Sequence, residues 1–144
     1  MSTSSANSSD LSRFVEAQQD TYDNALKELK TGQKRTHWMW FIFPQVSGLG
    51  FSSMAQRYAI GSREEAEVYL AHPLLGERLR ACVDALLEVE GRSAEQIMGS
   101  PDFLKLQSSI TLFAFILPTD RRFLRLLEKY YDGKKDQKTI NFLK

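Results

Sequence analysis

The chain has 144 residues, with 19 Lys and Arg against 18 Asp and Glu, a net charge of +1, and 42% hydrophobic side chains. That profile is one globular domain with enough chain to bury a core, and its balanced charge excludes a polybasic surface as the defining feature. One cysteine, Cys82, and two histidines, His37 and His72, exclude a disulfide framework, a cysteine-based zinc site and a histidine metal cage, so no metal and no cofactor are implied.

Taken in chain order, Met1 to Ser9 carry no charged side chain and little apolar bulk, so a disordered tail is expected over 1–9 and a single domain over 10–144. No charged n-region leads into an apolar h-region, and no apolar run reaches membrane-spanning length. The expectation is a cytoplasmic protein with its thiol reduced. Asp10 caps a first helix whose apolar positions are Phe14, Ala17, Tyr22, Ala25, Leu26 and Leu29, with a possible break at Asp20-Thr21 and a stop at Gly32. The stretch His37 to Phe43 is either a short helix or a buried extended segment. Ser62 with Glu65 and Ser93 with Gln96 have capping-box spacing. Pro73 opens a helix with an apolar stripe of Leu75, Leu79, Cys82, Val83, Leu86 and Leu87 that ends at Gly91, and His72 serves as its cap. Gly99 closes the short helix after Ser93, and Ser100-Pro101 repeats the cap-then-proline start. The next helix is almost continuously apolar from Ile110 to Leu117, hence central and buried, and Pro118 stops it. Phe123, Leu124, Leu127 and Tyr130 mark a helix ending before Gly133, and a last turn packs Ile140 and Leu143. Strand signals are poor. The fold class is all-α, one domain of six to eight helices.

Residues 33–58 stand apart. Five of the sixteen aromatics, Trp38, Trp40, Phe41, Phe43 and Phe51, fall within fourteen residues, and no acid occurs between Glu28 and Glu64. Lys30, Lys34, Arg35, Arg57 and Arg63 lie in that interval. Cations beside aromatic faces suit a flat, anionic ligand of the nucleotide type. The same aromatics also suit a core, and Lys34 and Arg35 also suit the C-terminal dipole of the preceding helix. His37 has the chemistry of a general acid or base, or is a hydrogen-bonded structural histidine. The loop from Ser47 to Ser53, with Gly48, Gly50 and Ser52, can cradle an anion on backbone N–H groups, or is a tight turn capped by Ser52. It matches neither a Walker loop nor a dinucleotide fingerprint.

A second polar group follows: Asp102 and Lys105, three apart on one helix face, then Gln107, Ser108, Ser109 and Thr111. The hydroxyls either bond back to their own helix or face the aromatic segment and complete a pocket. From Arg121 onward eight cations face three acids, which suits a solvated face or a nucleic-acid contact.

The run Lys34-Arg35-Thr36-His37-Trp38-Met39-Trp40-Phe41-Ile42-Phe43-Pro44-Gln45 resembles the hallmark of the DUF1810 family. So do Gly48-Leu49-Gly50 with Ser52, Tyr58-Ala59-Ile60, His72-Pro73-Leu74-Leu75-Gly76, and Asp102-Phe103-Leu104-Lys105-Leu106 with Ser108-Ser109. The similarity runs over about residues 10–143, with Thr36 where many members have Ser. It implies an all-helical domain of soluble microbial proteins and no established activity, so no catalytic residue carries over. Some members bear the label calpastatin, but such inhibitors are extended, and capped helices with a dense core do not fit that.

Two functions are compatible with these residues. In the first, the domain binds or processes an anionic, nucleotide-derived small molecule. Lys34, Arg35 and Lys105 hold phosphate, Trp38 or Trp40 stacks on a ring, and Gln45, Gly48, Gly50, Ser52 and Ser108 complete the contacts. His37 or Asp102 carries any proton transfer. In the second, it is a non-enzymatic interaction domain for a protein, or for nucleic acid through Arg121 to Lys138.

Overall fold

The computed structural model describes residues 11–144. The expected tail over Met1 to Ser9 and the Asp10 cap lie outside the described residues. Within them the chain forms ten helices: α1 (Ser12–Gln19), α2 (Tyr22–Thr31), α3 (Met39–Ile42), α4 (Ser53–Arg57), α5 (Arg63–Ala71), α6 (Leu75–Glu88), α7 (Ala94–Met98), α8 (Asp102–Ile116), α9 (Arg122–Tyr131) and α10 (Gln137–Leu143). The all-α class holds. The count exceeds the expected six to eight because α3 and α4 are single turns, too short for apolar periodicity to show, and because Asp20-Thr21 does separate α1 from α2.

Several ends follow the residue chemistry. Gly32 adopts φ +82° after α2. Its N–H bonds to Leu29 O and that of Gln33 to Glu28 O, the paired closure that a left-handed glycine permits. Ser93 and Gln96 form the complete reciprocal capping box. Ser62 accepts from Glu65 N, but the Glu65 carboxylate passes over Ser62 and accepts from Gly61 N at 2.7 Å, so that box is half formed. His72 caps α6 as expected: its Nδ1 accepts from Leu74 N and Leu75 N, both at 3.1 Å. Other boundaries differ. Helix α6 starts at Leu75 rather than Pro73 and closes at Val89, ahead of Gly91. Ser100 caps nothing: Ser100-Pro101 is a cis peptide, and Pro101 occupies the cap position of α8 without a side-chain bond.

Two long helices organise the packing. Helix α8 touches α5, α7, α9 and α10, and α6 touches α2, α5 and α9. Both therefore share α5 and α9 as neighbours. From Ser108 to Ala114 every residue of α8 is buried, as its composition requires. A row of aromatic rings runs through the core. Phe14 meets Tyr69 at 5.1 Å, Tyr69 meets Phe113 at 5.6 Å, and Phe113 meets Phe123 at 6.0 Å. Gly76 lets α6 cross the end of α5, since a Cβ there would lie 2.1 Å from Leu70 O.

The 33–58 segment wraps onto this core rather than standing clear of it. Phe41 and Phe43 are buried, as the core reading expects. A four-residue helix leaves its carbonyls without intrahelical partners. Buried Gln18 of α1 supplies one, donating to Phe41 O at 2.7 Å and to Tyr69 Oη at 3.2 Å.

Candidate functional site

The site begins with the exit from α2. One turn before Gly32, the Glu28 carboxylate lies over the loop that leads to Trp38. It accepts from Arg35 N at 2.8 Å, Thr36 N at 3.2 Å, Thr36 Oγ1 at 2.7 Å and Trp38 Nε1 at 2.8 Å. Burial alone pushes a carboxyl upward, but here the bonds from Arg35, Thr36 and Trp38 outweigh it and hold Glu28 below its ordinary range. Glu28 is thus a latch that folds the Lys34–Trp38 loop back on α2. Lys34 N adds a tie to Ile97 O of α7 at 2.7 Å.

The latch fixes where the Lys34 side chain goes. Its Nζ donates to Thr36 O at 2.7 Å, lies 4.9 Å above the Trp38 ring, and sits 3.0 Å from Asp102 Oδ2. Asp102 opens α8, where the helix dipole favours a carboxylate. Its other oxygen lies 3.8 Å from Lys105 Nζ, and that ammonium lies 5.7 Å over Trp40. One carboxylate is therefore divided between two ammonium groups, each resting on an indole. The cluster carries one positive charge in excess.

Five expected residues, Lys34, Trp38, Trp40, Asp102 and Lys105, are brought together by this arrangement. Their roles differ from those the sequence suggests. The Trp38 ring is 0% exposed and its N–H is spent on Glu28, so it builds the floor and stacks on nothing outside. The Lys34 side chain is 8% exposed and already paired, so it positions Asp102 and is not open to phosphate. Trp40 is partly buried, the Lys105 side chain is more open than that of Lys34, and Arg35 is exposed, with its backbone N–H bonded to Glu28 and no bond from its side chain among the described residues. His37 is exposed. No hydrogen bond or ion pair among the described residues joins it to Asp102, and its exposure does not fit the structural, partly buried histidine of the other reading.

The glycine loop forms a separate feature. Ser47 N donates to Ile60 O and Ile60 N to Gln45 O, closing an isolated parallel bridge between Val46 and Ile60. Gln45, Gly48 and Gly50 line a cleft of about 110 Å³ inside that clamp. Gly50 approaches Ala55 so closely that a Cβ would lie 2.6 Å from the Ala55 Cβ. Ser52 caps α4 through Ala55 N, which is the turn reading of this loop. Phe51 stands 83% exposed beside it. Gln45, Gly48 and Gly50 thus line a cleft of their own and Ser52 is used as a cap, and no hydrogen bond or ion pair among the described residues joins this loop to Asp102.

Ser108 is buried and donates back to Leu104 O at 3.3 Å, so its hydroxyl is used within its own helix. Thr111 likewise donates to Gln107 O at 2.8 Å. Ser109 Oγ is buried with no hydrogen-bond partner among the described residues. The basic C-terminal region is partly consumed by structure. Arg122 pairs with Asp120 at 2.8 Å and Asp84 at 2.9 Å, and Lys129 caps α6 through Leu87 O and Val89 O. Among the described residues no three His, Cys, Asp or Glu gather as a metal site, and no helix is long and apolar enough to cross a membrane.

The residue that sequence reasoning missed is Glu28. It bounds the acid-free interval, and that position was its one signal: it is the last carboxylate available to a loop rich in donors.

Comparison with known proteins agrees with this architecture. No curated protein matches the chain. The crystal structure of the conserved hypothetical protein Rv1873 from Mycobacterium tuberculosis is similar, with 52% identity and a TM-score of 0.92 over 93% of this chain and 96% of that one. A family model described as a protein of unknown function, DUF1810, matches residues 8–143. With nearly the whole described domain inside that match, the chain belongs to the DUF1810 family.

Proposed function

We propose that this domain binds an anionic small molecule of the nucleotide type at the Asp102 cluster, and that it acts there as a binding module. The observation that carries the reading is the division of Asp102 between Lys34 and Lys105 above two indole rings. Asp102 cannot neutralise both cations, and the outer one, Lys105, is the more accessible. A phosphate or carboxylate entering beside Lys105 gains a charge-assisted bond. Trp40 beneath it supplies a partly open π face for a flat ring. Arg35, exposed on the latched loop, is a second cation for the anionic end. Lys34 holds Asp102 from its other side, and Glu28 holds the backbone of the loop that carries Arg35.

The test is thermal denaturation of the full chain with AMP, ADP-ribose and inorganic pyrophosphate. A ligand that binds only the folded state stabilises it by about 2.7 kcal/mol at a hundred times its Kd. A concentration-dependent rise with one of these probes is expected, with Lys105→Ala needing about tenfold more ligand for the same rise. No rise with any of the three, with Lys105→Ala folded like the wild type, overturns the reading.

A further inference from the structure

We propose that the crevice between α8, α9 and α10 is a second, independent site, for a small carboxylate with an apolar tail. The crevice holds about 240 Å³, and Ala114, Phe115, Pro118, Leu124 and Ile140 form its walls. That is room for several waters, or for a short alkyl or aryl group in their place. Phe115 is still 37% exposed, and Leu124 and Ile140 are only partly covered. Apolar surface is therefore left facing a concave space rather than packed away.

The polar groups around it select the head group. Thr111 lines the crevice, but its hydroxyl is used twice, donating to Gln107 O at 2.8 Å and accepting from Asp136 N at 3.0 Å. It has little left for a ligand. Lys135 is the charged residue of the lining. It is exposed and makes no ion pair among the described residues. The adjacent acid, Asp136, is committed to Thr139, at 3.0 Å to its N–H and 2.6 Å to its hydroxyl. A second cation, the Arg63 guanidinium, lies 5.4 Å over the Phe115 ring. An apolar interior beside two cations that form no ion pair among the described residues fits an anion that buries its tail and leaves its carboxylate beside Lys135. Asp102 and Phe115 are thirteen residues apart on α8, about 20 Å at the helical rise, so the two sites do not share a ligand.

The experiment is calorimetric titration of the full chain with butanoate, hexanoate, octanoate and 1-hexanol. Affinity is expected to rise about fourfold per methylene until the crevice is full. Hexanoate should bind more tightly than 1-hexanol, and Lys135→Gln should remove that advantage while leaving 1-hexanol unchanged. Lys105→Ala, in the Asp102 cluster, should leave hexanoate binding intact. Absence of saturable binding by all four probes overturns the proposal. So does hexanoate binding that is indifferent to Lys135→Gln, or that is lost in Lys105→Ala.

Discussion

Glu28→Ala is the substitution whose consequence is most fully determined by the structure. It removes the acceptor of four hydrogen bonds at once. The donors differ in what replaces the carboxylate. The amides of Arg35 and Thr36 and the Thr36 hydroxyl are near the surface, and water takes over at little cost. The Trp38 ring is 0% exposed, so its N–H loses its partner where water enters poorly. An unsatisfied buried donor costs about 1–3 kcal/mol, and the lost charge-assisted bonds at the surface add roughly 1 kcal/mol. The expected loss is about 2–4 kcal/mol by urea unfolding at pH 7. Glu28→Gln keeps one acceptor oxygen and should lose about 1 kcal/mol. The pH dependence has a definite sign. The folded carboxyl is held below its unfolded value by those bonds. Its contribution is therefore complete above the unfolded pKa and is lost as pH falls through the folded one. The gap between wild type and Glu28→Gln should close in acid. A Glu28→Ala loss under 0.5 kcal/mol, or a Glu28→Gln gap that persists unchanged into acid, refutes the latch.

Further outcomes follow from single features. Gly76→Ala places a Cβ against the Leu70 carbonyl and should destabilise by about 3 kcal/mol in the same assay; a neutral result means the α5–α6 crossing is looser than described. Ser93→Ala breaks a complete capping box and should cost about 1 kcal/mol, whereas Ser100→Ala should stay within about 0.5 kcal/mol because Ser100 caps nothing. Burial pushes the Cys82 thiol up to about 12, with the Arg78 charge a smaller opposing effect. Cys82 should thus resist a disulfide reagent at pH 8 in native buffer and react fully in guanidinium; fast native labelling contradicts its burial.

Much of the helical skeleton was legible because its punctuation is local. The Gly32 stop, the Ser93–Gln96 box and the His72 cap each involve residues within a few positions of one another. The apolar run of α8 announced a central helix through composition alone. Elements of a single turn carry no repeat for periodicity to reveal, since Met39–Ile42 and Ser53–Arg57 span little more than one period, and only local cues such as the aromatic run and the Ser52 cap pointed to them. Ser62–Glu65 has the spacing of a full box, but Gly61 competes for the same carboxylate and wins.

The site was legible in part. The aromatic and basic composition of residues 33–58 pointed to the segment that supplies Lys34, Trp38 and Trp40 to the Asp102 cluster, and Asp102 with Lys105 was recognisable as a helix pair. That Lys34 would reach Asp102 is a tertiary fact, produced by the Glu28 latch and the Ile97 tie, and no periodicity encodes it. The same tertiary contacts turned Trp38 and Lys34 from ligand contacts into supports. The glycine loop shared the segment's composition but closed on itself through Val46 and Ile60.

The most direct test of the Asp102 cluster as a binding site uses the chain's own reporters, because both of its tryptophans, Trp38 and Trp40, lie there. Intrinsic fluorescence would be titrated with ADP-ribose, AMP and pyrophosphate in wild type, Trp40→Phe and Lys105→Ala. The account predicts saturable quenching by a ring-bearing probe, absent in Trp40→Phe, with affinity about tenfold weaker in Lys105→Ala, the value of one charge-assisted bond. Unchanged wild-type fluorescence with every probe, or quenching that survives intact in Trp40→Phe, contradicts it.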